Sequence, residues 1–135
     1  MQAMRTILVV DDEAAIVHVV ALKLQQCGFR VLTAWNGAAA LELARATDID
    51  LIISDFQMPM LDGMQLAAAL RENARTATIP IIILTARGHL LGDDWESAPN
   101  VRQVVSKPFS PRELAVLVER VLHEPGGLNQ AKETA

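Results

Sequence analysis

Residues 51–63 read Leu-Ile-Ile-Ser-Asp-Phe-Gln-Met-Pro-Met-Leu-Asp-Gly. Leu51–Ser54 has apolar side chains on both faces of the pleat, so it predicts a strand buried on both sides, and the strand ends at Asp55. Met58–Gly63 is a proline- and glycine-bearing turn that leads into a helix from about Met64 to Arg75. Asp62–Gly63 reads as a turn and helix cap rather than as chemistry.

The same pattern repeats outward in both directions. Ile7–Val10 is a wholly apolar run that ends at Asp11–Asp12. From Glu13 to Cys27 the residues Ile16, Val19, Val20 and Leu24 recur at helical spacing, and Gly28 is a stop signal. Cys27 is in phase with Val20 and Leu24 and is expected as a small buried hydrophobe. Val17 and Leu22 widen that helix's apolar face beyond the core stripe. Phe29–Ala34 is a second strand, and Asn36 is a good N-cap for an alanine-rich helix over Gly37–Ala46. Pro80 opens a strand over Ile81–Leu84 that ends at Thr85. Val101–Val105 is a fifth strand, ending near Lys107–Pro108. Ser110-Pro-Arg-Glu113 is a capping box with proline at the first helical position, opening a helix that runs to about His123. Gly88, Gly92 and Pro99 weaken any helix between the fourth and fifth strands, so a short or irregular element around Leu90–Ser97 is expected.

Composition bounds the answer. The chain has 135 residues, 51% hydrophobic and 21% charged, enough for one domain with a proper core. We expect that domain over residues 1–123, followed by a flexible polar tail over 124–135. A net charge of −4 with no basic patch argues against direct nucleic-acid binding. A single cysteine fits a reducing compartment. Met1–Arg5 lacks the apolar core of a signal peptide, and no apolar run is long enough to span a membrane, so a soluble cytoplasmic protein is expected.

Five strands alternating with helices imply an α/β fold, a parallel sheet with right-handed crossovers and helices on both faces. In such doubly wound sheets the site lies at the carboxyl ends of the strands. Asp11, Asp12, Asp55, Thr85 and Lys107 all fall at that edge. Three carboxylates brought together repel one another and resist ionising. A hard divalent cation resolves the conflict, and Mg²⁺ favours a few carboxylates together with water and phosphate oxygens. Lys107 adds a positive charge and Thr85 a hydroxyl. A carboxylate beside a metal and a lysine is a competent nucleophile toward phosphorus, and phosphoryl transfer asks mainly for positioning and charge neutralisation.

With these motifs the chain resembles the receiver domain of bacterial two-component response regulators, over roughly Thr6 to Leu122. The matching pieces are Ile-Leu-Val-Val-Asp-Asp-Glu at 7–13, the stretch at 51–63, Ile-Ile-Ile-Leu-Thr-Ala at 81–86 and Ser-Lys-Pro-Phe-Ser at 106–110. Asp55 and Thr85 are 30 positions apart, and Thr85 and Lys107 are 22 apart. The resemblance implies a flavodoxin-like sheet of five strands in the order 2-1-3-4-5. It implies Asp55 as phosphoacceptor, and Mg²⁺ held by Asp12, Asp55 and the backbone carbonyl of Gln57, with Asp11 reaching it through water. Lys107 would bind the phosphoryl group, Thr85 would move toward it, and the Lys107–Pro108 bond would be cis. The implied donor is a phosphohistidine on a sensor histidine kinase or phosphotransfer protein. The domain would not be an enzyme beyond self-catalysed uptake and slow loss of its phosphoryl group. It would signal as a monomer or weak homodimer to a downstream protein target.

Three positions depart from the family pattern. Val104 stands where many receivers carry Tyr or Phe, so the usual coupling of Thr85 to an inward-turning ring lacks its aromatic. Gln57 and Arg87, two residues past Asp55 and Thr85, stand where the family tunes phosphoryl lifetime, and Arg87 is expected to contact or shield the phosphoryl group.

Blander readings stand beside these. Asp11–Asp12 alone would cap a helix, Thr85 alone would be a strand end, and Lys107 alone a solvated charge. Only their convergence favours a site. His18, His89 and His123 show no metal-ligand spacing, and Trp35 and Trp95 are expected to pack. Val17 and Leu22 are either tolerated exposed aliphatics or part of a docking surface for a kinase's helical bundle.

The leading expectation is a signalling module without an effector domain. A close variant is one domain of a hybrid kinase or longer regulator. A pseudo-receiver would have lost an acid or the lysine. A haloacid-dehalogenase-type phosphatase would carry Asp-x-Asp after the first strand, and a flavodoxin-like FMN binder a hydroxyl- and glycine-rich loop there.

Overall fold

The structure is a computed structural model in which residues 4–86 and 97–124 are described. The strands are β1 (Thr6–Val10), β2 (Arg30–Ala34), β3 (Leu51–Asp55), β4 (Ile81–Thr85) and β5 (Val101–Ser106). The helices among the described residues are α1 (Ala14–Gln26), α2 (Gly37–Ala46), α3 (Gly63–Arg71) and α4 (Pro111–His123). The strands form one sheet in the order β2-β1-β3-β4-β5, and every neighbouring pair is parallel. The α/β doubly wound architecture expected from the sequence is therefore the one observed.

Every residue of β1, β3 and β4 is buried. Successive side chains point to opposite faces, so each strand feeds two cores. Leu8, Val10, Ile52, Ile81 and Ile83 meet Ala40, Ala44, Leu66 and Leu70 from α2 and α3 on one face. Ile7, Val9, Ile53, Ile82 and Leu84 meet Val17, Val20, Leu24, Leu114 and Val118 from α1 and α4 on the other. Each fully buried aliphatic of this kind is worth roughly 1.5–3 kcal/mol of transfer free energy, so the three central strands are the rigid part of the domain.

The helix starts follow from local chemistry. Asn36 Oδ1 accepts the N–H of Ala39 at 2.8 Å, as its N-cap role requires. Ser110 Oγ accepts the N–H of Glu113 at 3.2 Å, with Pro111 in the first turn. The full reciprocal capping box lies at α3 instead: Asp62 Oδ1 accepts from Gln65 N–H at 2.8 Å, and Gln65 Oε1 accepts from Asp62 N–H at 2.9 Å.

Four further sequence expectations need correction. The core stripe of α1 is Val17, Val20 and Leu24, while Val19 is 44% exposed and Ile16 half-buried. The 3.6-residue period puts 17, 20 and 24 on one line, one step from the stripe that starts at Ile16. Cys27 is exposed, because it lies beyond the last turn as the C-cap, where Gly28 at φ +94° turns the chain away. Helix α3 stops at Arg71, not Arg75. Thr76 Oγ1 donates to the Leu70 carbonyl at 2.7 Å and Asn73 Oδ1 accepts from Arg75 N–H at 2.9 Å, so side chains take over backbone partners that the helix would have used. Trp35 is 53% exposed rather than packed.

His18 and His123 are exposed. The element expected around Leu90–Ser97 (Ser97 apart), His89, Trp95 and the tail beyond Glu124 lie outside the described residues. Among the described residues no helix is long and apolar enough to cross a membrane.

Candidate functional site

Parallel register aligns the carboxyl ends of four strands. Val10 lies opposite Ser54, Asp55 opposite Leu84, and Thr85 opposite Ser106. The residues that follow these pairs are therefore neighbours in space although far apart in sequence. Carboxylate oxygens of Asp11, Asp12 and Asp55 all lie within 4.8 Å of one another. Asp11 and Asp55 are buried and Asp12 is exposed. Lys107 Nζ reaches Asp55 Oδ1 at 2.8 Å, Asp11 Oδ2 at 3.3 Å and Glu13 Oε1 at 3.4 Å. Asp12, Asp55, Gln57, Thr85 and Lys107 line one cavity of about 260 Å³, with Glu13 and Ala86. Asp11 sits beside it, fully buried.

Backbone bonds fix each of these positions. Asp11 N–H donates to the Ala34 carbonyl at 3.2 Å, and its Oδ1 accepts from Glu13 N–H at 2.9 Å. Phe56 N–H donates to the Leu84 carbonyl at 2.7 Å, and Lys107 N–H to the Thr85 carbonyl at 2.8 Å. The Lys107–Pro108 peptide is cis. Gly63 opens α3 hard against the end of β3: a Cβ there would lie 2.8 Å from the Asp55 carbonyl oxygen. Only glycine permits that approach, so the glycine read as part of a turn also sets how closely α3 packs under Asp55.

The site is short of positive charge. Burial pushes the Asp55 carboxyl above the ordinary 3.8; the Lys107 hydrogen bond pulls it back and the charges of Asp11 and Asp12 push it further up. Burial likewise raises Asp11, against the Glu13 N–H and Lys107. Burial pulls Lys107 down, but its hydrogen bond to Asp55 and the charges of Asp55 and Asp11 win, and it lies above the ordinary 10.5. Lys107 is thus held as a cation, and among the described residues it is the one cation beside four carboxylates. Closely spaced hard oxygen donors with uncompensated charge fit a divalent cation such as Mg²⁺.

The structure brings together six of the predicted site residues: Asp11, Asp12, Asp55, Gln57, Thr85 and Lys107. Val104 is half-buried and packs against the core under α2 and α3, an aliphatic contact in place of a ring. Arg87 lies outside the described residues. Glu13, expected as a helix start and as the last residue of the 7–13 motif but with no role at the site, also reaches Lys107.

A family model described as the response regulator receiver domain matches residues 7–119. The chain belongs to this family. Among its relatives, the phosphate regulon transcriptional regulatory protein PhoB of Pseudomonas aeruginosa is 37% identical over 122 residues, which are 90% of this chain and 53% of that protein. This receiver domain therefore spans about half the length of the curated relatives it matches. Among solved structures, the chemotaxis response regulator CheY4 of Vibrio cholerae is similar with a TM-score of 0.81 and 32% identity, covering 88% of this chain and 99% of that one. The receiver domain of the sensor histidine kinase PA1611 of P. aeruginosa is similar with a TM-score of 0.79 and 30% identity, covering 90% and 100%. That structure holds a magnesium ion coordinated in the active site cleft. The chain is thus a receiver signalling domain of the two-component type, not a conventional enzyme.

Proposed function

We propose that this receiver domain takes a phosphoryl group onto the Asp55 carboxylate in a Mg²⁺-dependent reaction, from a phosphohistidine of a sensor histidine kinase or phosphotransfer protein. The observation that carries this reading is the 2.8 Å pairing of Lys107 with a buried Asp55, in a cavity that has two further carboxylates at its edge. Asp12, Asp55 and the Gln57 carbonyl would hold Mg²⁺, with Asp11 reaching it through water. When bound, Mg²⁺ supplies positive charge that offsets the carboxylates and the incoming phosphoryl oxygens. Lys107 exchanges part of its pairing with Asp55 for the new phosphoryl oxygens. Thr85, at the end of β4, offers its hydroxyl to the same group. The aspartyl phosphate then decays slowly by hydrolysis, catalysed by the domain itself.

A second cavity suits the donor. Ile16, Val19, Pro108, Phe109 and Pro111 line an apolar groove of about 480 Å³ that also touches Lys107. It lies between α1 and the segment entering α4, so a helical bundle seated there brings its phosphohistidine to Lys107 and Asp55. Val19, not Val17, belongs to this docking face, since Val17 is core. Output goes to a downstream protein target through phosphorylation-dependent contacts, in a cytoplasmic monomer or weak homodimer. The domain, expected over residues 1–123, reaches at least to Glu124, which pairs with Arg102 at 3.0 Å, and the chain's net charge of −4 supports protein rather than nucleic-acid partners for it.

Intact mass after incubation with Mg²⁺ and acetyl phosphate tests the reading. One added phosphoryl group that disappears in Asp55→Asn supports it. No added group in metal-loaded wild-type protein contradicts it.

A further inference from the structure

The function proposed above leaves one acid of the site without a role. Glu13 is the N-cap of α1, yet its side chain makes no capping hydrogen bond. The carboxylate is 63% exposed and lies 3.4 Å from Lys107 Nζ. It lines both the 260 Å³ phosphoryl cavity and the 480 Å³ apolar groove, a position shared only with Ala86 and Lys107 among the lining residues. Glu13 therefore stands at the mouth through which a donor passes from groove to cavity.

We infer that Glu13 is a specificity-determining residue of the transfer: its carboxylate disfavours small free anionic phosphodonors relative to a donor already seated in the groove. The inference rests on the reading of Asp55 as phosphoacceptor. Among the described residues, Asp12, Glu13 and Asp55 line the cavity and Asp11 lies buried beside it, four carboxylates near one cation, Lys107, so even with one divalent cation bound an excess negative charge meets the donor. Repulsion grows in proportion to the charge of the approaching donor. A donor held in the groove has a high effective concentration and does not depend on unaided diffusion past the mouth.

Two small donors of different charge read this out. With acetyl phosphate, a dianion, an Asp55 carboxylate oxygen bonds to phosphorus as the bond from phosphorus to the acetyl oxygen breaks. That electron pair leaves on acetate. With phosphoramidate, a zwitterion of net charge −1, the same oxygen–phosphorus bond forms as the phosphorus–nitrogen bond breaks, and the pair leaves on ammonia.

The test measures the rate of Asp55 phosphorylation of the full chain with Mg²⁺, for both donors, in wild type, Glu13→Gln and Glu13→Asp, at low and high ionic strength. Glu13→Gln is expected to speed acetyl phosphate by roughly three- to tenfold and phosphoramidate by about the square root of that factor, with both gains fading toward none near 1 M salt. Glu13→Asp, which keeps the charge, is expected to stay near wild type. Equal gains for the two donors, or a gain that persists in high salt, would overturn the inference and leave Glu13 as a group that merely positions Lys107. If wild type is labelled and the donor ratio does not move in Glu13→Gln, this inference alone fails. If wild type takes no phosphoryl group from either donor, the Asp55 reading fails with it.

Discussion

The two ends of the sheet handle polar groups in opposite ways. At the amino ends of the strands they are paired off. Asp50 Oδ2 accepts from Thr6 N–H at 2.7 Å, Arg71 donates to Asn100 Oδ1 at 2.7 Å while Asn100 Nδ2 donates to the Ala67 carbonyl at 3.0 Å, and Arg75 pairs with Asp48 at 2.9 Å. Even Arg102, whose Nε has no partner, bonds Glu124 at 3.0 Å. At the carboxyl ends Asp11, Glu13 and Asp55 share Lys107, with Asp12 beside Asp11 and Asp55, and burial holds two of the four above their ordinary range. Satisfied polarity locks structure, whereas surplus charge of one sign is a demand for a ligand. Perturbed groups gathered in a cleft mark a site for this reason.

Substitutions at each end can break or sharpen that contrast. The largest effect belongs to Lys107→Met, which removes the one cation beside the four acids among the described residues. Phosphorylation by acetyl phosphate is expected to slow about 10²–10³-fold, the range for losing one preorganised charge-stabilising group, measured by mass spectrometry over time. Next comes Asn100→Ala at the opposite end. It leaves the Ala67 carbonyl and the Arg71 guanidinium without their partner and is expected to cost about 1–3 kcal/mol in urea unfolding, with phosphorylation rate unchanged. An effect on rate with no effect on stability would erase the distinction between the two ends.

The pH dependence sharpens it further. Burial raises the Asp55 carboxyl above 3.8 in the folded protein, so the folded state binds that proton more tightly than the unfolded state. By linkage this contribution falls as pH rises through the window between 3.8 and the raised folded value. Metal-free Asp55→Asn is therefore expected to gain melting temperature over wild type at pH 7, and the gain should shrink as pH drops toward 3.8. Added Mg²⁺ is expected to stabilise wild type more than the variant, by mass action. The smallest effect lies on the loop after β3. Met60 sits at φ +72° and is fully exposed, a left-handed conformation that costs a non-glycine residue roughly 1–2 kcal/mol. Met60→Asn is expected to recover about 1 kcal/mol by thermal denaturation, without altering phosphorylation.

What could be read from the sequence follows the same division. The central strands announce themselves as unbroken apolar runs, and their ends fix where Asp11, Asp12, Asp55 and Thr85 lie before any side chain is placed. Lys107 was found the same way. Positions set by periodicity alone were less secure. With Ile16, Val17, Val19 and Val20 all apolar, the choice of which valine faces the core turned on a fraction of a helical turn, and Val17 and Val19 were exchanged. The end of α3 was misplaced because Asn73 and Thr76 compete for backbone partners only once the chain has turned. Glu13 gave little warning, since its meeting with Lys107 spans 94 positions and depends on how two strand ends register.

The central claim is that Asp55 itself receives the phosphoryl group. Trapping the Mg²⁺- and acetyl phosphate-treated protein with borohydride converts an aspartyl phosphate to homoserine, and peptide mass spectrometry then locates it. The account predicts homoserine at position 55 alone. Homoserine at 11 or 12, or none anywhere in a protein that binds Mg²⁺, would contradict it.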